Sequence, residues 1–313
     1  MAWPLFFILV FPGLLFLVLL GWIVEYIDRK LYARLQNRVG PPWFQPFADF
    51  VKLMSKEEII PTEANPAMFK LMPVIALTAV LTAFLHIPMW GPAPLISFDG
   101  SVIVVVYLLT IPTLTFFLAG WHSTSLYSTI GAVRTLTQLF AYEVPLLLAV
   151  LAPALLAHTW SLGKMAAFYS DNPLFALTNA VGFLVALVAL QGKLERVPFD
   201  IPEAETEIVG GTFTEYSGRL LGLFRLAIDM EAVVGVSLIA AVFLPFGLNH
   251  GPLVGFVLYL VKVLVVVFLL ALLRTVTARL RIEQMVMFCW KFLAPAALFQ
   301  ILLSLVLNWI IGP

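Results

Sequence analysis

Long apolar blocks alternate with short charged segments along the 313 residues of this chain. Apolar runs fall at 3–25, 69–88, 101–120, 135–157, 174–191, 222–246, 253–273 and 288–311. Each is close to the roughly 20 residues that a helix needs to cross a hydrocarbon core. Lipid offers an open backbone no hydrogen-bonding partner, so runs of this kind form helices. The pattern predicts an all-α polytopic membrane protein of about eight transmembrane helices, forming a single membrane domain over 1–313 in the cell membrane. Two runs are less pure than the rest. That at 135–157 carries Glu143, and that at 222–246 carries Asp229 and Glu231.

The segments between the runs set the orientation. Seven Lys or Arg lie in 28–70, one in 121–134, four in 191–225 and four in 274–291. The alternate segments hold only Lys164, and Lys262 lies inside a run. Basic residues mark the cytoplasmic side, so loops at about 26–68, 121–134, 192–221 and 274–287 are expected inside and both termini outside. The opening Met-Ala-Trp-Pro has no positive n-region and no small-residue cleavage site follows, so the first run reads as a retained helix. In the first loop Phe47, Phe50, Val51 and Met54 recur at helical spacing, with Asp49, Lys52, Lys56 and Glu57 on other faces. A short amphipathic helix is expected there, on the membrane surface or against a partner. In the third loop Asp200 with Pro202 and Glu203 reads as a helix start.

Composition narrows the function classes. Apolar residues make up 62% and charged residues 12%, against roughly a quarter charged in a soluble domain. The 18 basic and 18 acidic residues cancel, so no basic bias points to nucleic acid. Cys289 is the one cysteine, which leaves no disulfide framework and no iron–sulfur motif. His86, His122, His158 and His250 have no metal-ligand spacing, and no Gly-rich phosphate loop occurs. No cofactor is expected in this chain, and any redox chemistry belongs to its partners.

Acidic residues carry the remaining signal. A charged group inside a membrane costs about 2.5–3.5 kcal/mol on insertion scales, so each needs a reason. Glu143 is expected about two turns into the fourth helix. Asp229 and Glu231 are expected about two turns into the sixth. Glu203, Glu205, Glu207 and Glu215 crowd the loop before that helix, and Glu25 closes the first one. One reading is a buried line of carboxyls that exchange protons near neutral pH and respond to nearby charge. The plainer reading makes Glu203 a helix cap, Glu25 and Glu215 interfacial, and Glu231 the partner of an arginine such as Arg225. Glu203 and Glu207 stand four apart, an unfavourable like-charge spacing on one helix that a partner, a proton or a polar cavity should offset.

Several motifs resemble one family. Gln36-Asn37-Arg38-Val39-Gly40-Pro41, Gln45-Pro46-Phe47-Ala48-Asp49 and Lys52-Leu53 with Lys56-Glu57 resemble its first cytoplasmic loop. Arg196-Val197-Pro198-Phe199-Asp200-Ile201-Pro202-Glu203-Ala204-Glu205 with Glu207, then Glu215-Tyr216-Ser217-Gly218, resemble its third. Ala141-Tyr142-Glu143-Val144-Pro145 resembles its fourth helix, and Arg279-Leu280-Arg281-Ile282-Glu283-Gln284-Met285 with Trp290-Lys291 the entry to its last. The family is the H-type subunit of NADH-quinone oxidoreductase (complex I), shared with membrane-bound, energy-converting hydrogenases.

The resemblance implies a coupling subunit that docks a hydrophilic electron-transfer arm onto an ion-pumping membrane arm. Its partners would be iron–sulfur and hydrogenase-like large subunits, which carry iron–sulfur clusters and a nickel–iron site, with antiporter-like and small membrane subunits in the bilayer. Glu143, Glu203, Glu205, Glu207 and Glu231 match family acids; Glu215 and Asp229 are added as further ion-translocation candidates. Arg29, Arg34, Arg38, Asp49, Lys52, Lys56, Glu57, Arg196, Asp200, Arg279, Arg281 and Glu283 would form the docking surface and balance the acids. Only Pro42, Trp43 and Phe44 separate Gly40-Pro41 from Gln45-Pro46, shorter than in quinone-reducing members, which favours the hydrogenase-like branch. Lys193 stands where many members have a glutamate, with Glu195 beside Arg196, so one link of the acidic path differs here. The alternatives are a quinone-site subunit, a stand-alone ion transporter, in which the same acids would bind a substrate cation, and an inert anchor.

Overall fold

The computed structural model describes residues 2–249 and 251–311, apart from the side chains of residues 2–4, 205, 206 and 311. His250 and the Glu205 side chain therefore lie outside the description. Helices run in the order α1 (Ala2–Leu9), α2 (Leu14–Leu35), α3 (Gln45–Met54), α4 (Pro66–Leu85), α5 (Ser101–His122), α6 (Leu126–Leu156) and α7 (Leu162–Asp171). They continue with α8 (Pro173–Thr178), α9 (Ala180–Lys193), α10 (Glu205–Ile208), α11 (Gly218–Phe243), α12 (Pro252–Val276), α13 (Ile282–Phe288) and α14 (Ala294–Ile311). A π-helical turn over Cys289–Leu293 joins the last two. Among the described residues seven segments are long and apolar enough to cross a bilayer, and α9 is a shorter eighth apolar helix. The all-helical, multi-pass expectation holds.

Departures from the apolar pattern have local causes. The first run divides at Pro12-Gly13, because proline has no N–H to continue the ladder. A Cβ on Gly13 would lie 1.8 Å from the Ile8 carbonyl oxygen, so the two short helices can meet only at glycine. Helix α2 then continues past Glu25 to Leu35, carrying Asp28 and Arg29 inside it. Glu25 therefore does not close its helix. Helix α6 begins at Leu126, nearly three turns before its apolar run, and Glu143 sits about halfway along it rather than near its start. Gly131 allows this, since a Cβ there would meet the Thr212 nitrogen at 2.5 Å.

The fifth run is broken at Asn179 into α8 and α9. The exposed backbone groups are met by Gln300 of α14, which is fully buried. Its amide donates to the Thr178 carbonyl at 3.1 Å and to Asn179 Oδ1 at 3.2 Å, and its carbonyl accepts from the Gly182 N–H at 3.2 Å. A hydrophobicity pattern cannot show such a break, because the polar atoms that permit it are over a hundred residues away.

Helix α11 forms the centre of the bundle, with α2, α4 and α12 packed around it, while α6 packs on α5, α9 and α14. The third loop is fastened to this bundle by aromatic rings. Phe69 and Tyr216 stack at 3.8 Å, and Phe213 and Phe224 meet at 5.0 Å. The helix start expected at Asp200 does not form. Asp200 is engaged by Arg279 at 2.9 Å and Glu203 by Arg225 at 3.1 Å, and only four residues, Glu205–Ile208, turn helical behind them. The amphipathic helix of the first loop is present as α3, with Trp22 of α2 packed at 5.2 Å from Phe47 and 5.6 Å from Phe50.

Replacing Gln300 by leucine leaves the Thr178 carbonyl and the Gly182 N–H unpaired in the core. The loss should be about 1–3 kcal/mol, read as a lower thermal midpoint in detergent, whereas an exposed change such as Leu302→Ala should move it far less.

Candidate functional site

Charged side chains from four parts of the chain meet in one cavity of about 550 Å³ on the side that bears the basic loops. Helix α2 contributes Glu25 and Arg29, α3 contributes Asp49 and Lys52, α11 contributes Arg225, Asp229 and Glu231, and the segment after α9 contributes Glu195, Arg196, Asp200 and Glu203. Lys193, Arg274 and Arg279 complete the charged lining. Seven cations face seven carboxyls there.

Local structure explains how the charges are placed. The turn after α9 is held by Gln138 of α6, whose amide donates to the Gly192 carbonyl at 2.7 Å and the Phe199 carbonyl at 2.8 Å. Gln191 donates to the Val197 carbonyl at 2.7 Å. Glu195 sits in that turn with φ +50°, in the left-handed region that favours glycine. This backbone aims Arg196 at α2, where it contacts Glu25 at 2.9 Å and Asp28 at 3.0 Å. Arg274 of α12 reaches the same Asp28 oxygen, Oδ2, at 3.0 Å. Arg29 joins Glu25 at 2.6 Å to Asp49 at 3.1 Å and so ties α3 to α2.

The electrostatics follow burial. Desolvation pulls Arg196 down, but the carboxylates of Asp28 and Glu25 more than offset it, and the guanidinium is held above its ordinary value. Glu195 goes the other way. Burial first, then repulsion from Glu203 and Glu231, raises its carboxyl well above the usual range, and its Oε1 is buried without a hydrogen-bond partner among the described residues. Deeper in, Lys193 and Glu231 form an ion pair at 3.0 Å whose side chains are 1% and 2% exposed. Glu231 is thus paired with Lys193, and not with an arginine such as Arg225. Glu143 lies behind this pair, outside the cavity, with Oε2 buried and unpartnered among the described residues.

The expected site residues divide accordingly. Arg29, Asp49, Lys52, Arg196, Asp200, Glu203, Asp229, Glu231 and Arg279 come together in the cavity. Glu207 is not among them: it is exposed and paired with Arg134 of α6 at 2.7 Å, so Glu203 and Glu207 each have their own arginine. Glu215 is half-buried and outside the lining. Arg34 in the last turn of α2, Arg38, Lys56 and Glu57 in the first loop, and Arg281 and Glu283 at the start of α13 all lie outside the lining. The residues that the sequence pattern does not single out are Asp28 and Arg274, and it offers Glu25 only as interfacial. The run Lys193-Leu194-Glu195-Arg196 ending an apolar helix is the signal that points to this cluster.

Comparison with known proteins shows the family and the fold. The sequence profile of the NADH dehydrogenase family matches residues 7–305. An H-type subunit of NADH-quinone oxidoreductase from Dehalococcoides mccartyi is 35% identical, covering 92% of this chain and 84% of the relative. Its counterpart from Carboxydothermus hydrogenoformans is 34% identical over 93% and 85%. Among solved structures, a chain of the membrane-bound sulfane sulfur reductase, an archaeal respiratory membrane complex, superimposes with a TM-score of 0.84 at 28% identity, covering 93% of this chain and 96% of that one.

The raised Glu195 carboxyl generates a pH signature. Its protonated form is favoured in the folded state, so that stabilisation is complete below the ordinary carboxylate range and is lost as pH rises towards the raised value. Glu195→Gln should remove this loss. Thermal midpoints of the two proteins should coincide at acid pH and separate as pH rises, with the glutamine variant the more stable.

Proposed function

Because this chain belongs to the NADH dehydrogenase family, among its H-type members, we propose that it couples electron transfer in a docked arm to ion movement through the membrane. It is a multi-pass membrane component of a complex-I-related assembly. The observation that carries the coupling role is the continuity of buried charge, from the cavity under the loops through Glu231 and Lys193 to Glu143. An inert anchor has no use for such groups, each of which costs free energy inside a bilayer.

In this reading the whole chain is one membrane domain with its basic loops in the cytoplasm and both ends outside. Seven long crossings and the shorter α9 return the chain to the side where it began. Arg34, Arg38, Lys56, Glu57, Arg281 and Glu283 contact the hydrophilic arm, and Arg29, Arg196, Arg274 and Arg279 hold the cavity in shape. A charge change in the arm alters protonation at Glu195 and Glu203 and then at Asp229 and Glu231. Glu143 passes the change onward. Glu205 belongs to the same loop, and Glu207 and Glu215 serve at its edge. The redox groups, iron–sulfur clusters and a nickel–iron site, sit in the partners.

A ferredoxin-linked, membrane-bound hydrogenase-type complex is the preferred setting. Two observations support it: the short first loop, and the match of this chain to a chain of the sulfane sulfur reductase complex at a TM-score of 0.84. A quinone-reducing complex is the second reading, favoured by the higher identity to proteins named for that reaction. Mass spectrometry of what copurifies in mild detergent tests both. A large partner with two Cys-x-x-Cys pairs supports the hydrogenase setting, and a homologue without them beside a flavin-bearing NADH module supports quinone reduction. If nothing copurifies under conditions that keep other membrane complexes whole, the coupling reading loses its basis.

Glu143→Gln should leave the complex assembled and abolish ion translocation in reconstituted vesicles. Full translocation by that variant would contradict the assigned role.

A further inference from the structure

Lys193 has surroundings that neither a docking surface nor a simple salt bridge explains. It ends α9 with its ammonium 1% exposed, in contact with Glu231 of α11 and donating to the Leu109 carbonyl of α5. The Tyr142 ring of α6 lies 5.6 Å from it, and the Tyr142 hydroxyl is 3.0 Å from Thr113 of α5. Glu143, next along α6, interacts electrostatically with both Lys193 and Glu231. From its own segment Glu195 also acts on the ammonium's surroundings. Four helices thus converge on one cation and two carboxyls, and a third carboxyl, Glu195, whose burial favours its protonated form, faces them from the turn after α9.

The count of charges decides what this cluster can do. One ammonium compensates one carboxylate. A second carboxylate left uncompensated at such a site takes up a proton instead of staying charged. Glu231 forms the ion pair with the ammonium at 3.0 Å, whereas Glu143 has a buried oxygen and no ion pair among the described residues. We propose that Lys193 is a positioning residue that fixes the proton inventory of the site: it keeps Glu231 ionised and leaves one exchangeable proton, on Glu143.

This rests on the coupling role proposed above and adds a division of labour to it. When the ammonium moves from Glu231 to Glu143, the Glu143 O–H bond breaks and its proton passes to a water or to a carboxylate of a neighbouring membrane subunit, outside the cavity. Glu231 then gains a proton from the cavity it lines. One proton enters and one leaves. The triad holds one cation, one carboxylate and one carboxylic acid before and after, so its net charge does not change while the proton crosses it.

The test uses the intact complex. Infrared spectroscopy reads the carbonyl band of protonated carboxyls, and sealed vesicles driven by a reduced viologen read ion accumulation per electron. Glu143→Gln should remove one carboxyl from the band. Lys193→Met should add one, because Glu231 loses its counter-ion, and should cut translocation at least tenfold, whereas Lys193→Arg should restore most of it. Should Lys193→Met fail to assemble, Lys193→Met/Glu231→Gln removes both charges together; it should assemble, show the wild-type band and translocate nothing. The proposal is overturned if Glu231→Gln and not Glu143→Gln removes the carboxyl, if Lys193→Met adds none, or if Lys193→Met translocates like the wild type. Normal translocation by Glu143→Gln would instead overturn the coupling role itself, leaving the band assignments to stand or fall separately.

Discussion

Opposite charge supplied by a distant part of the chain is the constraint on which this structure depends. Asp28 is 1% exposed inside α2, where an uncompensated carboxylate could not remain charged. Arg196 and Arg274, from two different parts of the chain, converge on its Oδ2, each at 3.0 Å. Through these contacts α2, α12 and the turn after α9 are held at fixed separations, and Arg29 extends the same network to α3. Removing one partner from a buried pair of this kind costs about 3–5 kcal/mol, since the other is stranded. The apolar helices supply the bulk of the packing. Their relative placement on the loop side is set by arginines.

Much of the fold was legible in the apolar pattern because a bilayer imposes one rule on every crossing. Helices α4, α5, α11 and α12 lie within a few residues of their runs. The misses share a physical origin: each depends on a polar group elsewhere in the chain. Helix α2 outlasts its apolar run because Asp28 and Arg29 are paired. The break between α8 and α9 depends on Gln300, and the early start of α6 depends on the backbone of the third loop lying against Gly131. Asp200 and Glu203 resemble a helix start only while Arg279 and Arg225 are out of view.

For the site, the sequence pointed to the loops and to several of the acids that line the cavity, but not to their partners. Motif resemblance brought Glu203, Glu231, Arg196 and Arg279 to attention, the purity of the sixth run brought Asp229, and the cavity gathers all five. Neither signal could say that Glu207 belongs to Arg134, or that Asp28 would be the most enclosed carboxylate of α2. Lys193 was visible only as a departure from the pattern that the resemblance implies. In the structure it lines the cavity, pairs with Glu231 and interacts electrostatically with Glu143.

In the coupling reading, the cavity and the buried triad serve to let electron transfer in a partner move ions across the membrane. The most direct measurement is the number of ions translocated per electron by the purified complex in sealed vesicles, with proton and sodium accumulation followed in parallel. Coupling predicts that a proton or sodium gradient grows in step with electron transfer, and that electron transfer speeds up when an ionophore collapses it. Sustained electron transfer in tight vesicles with neither gradient formed would contradict the account.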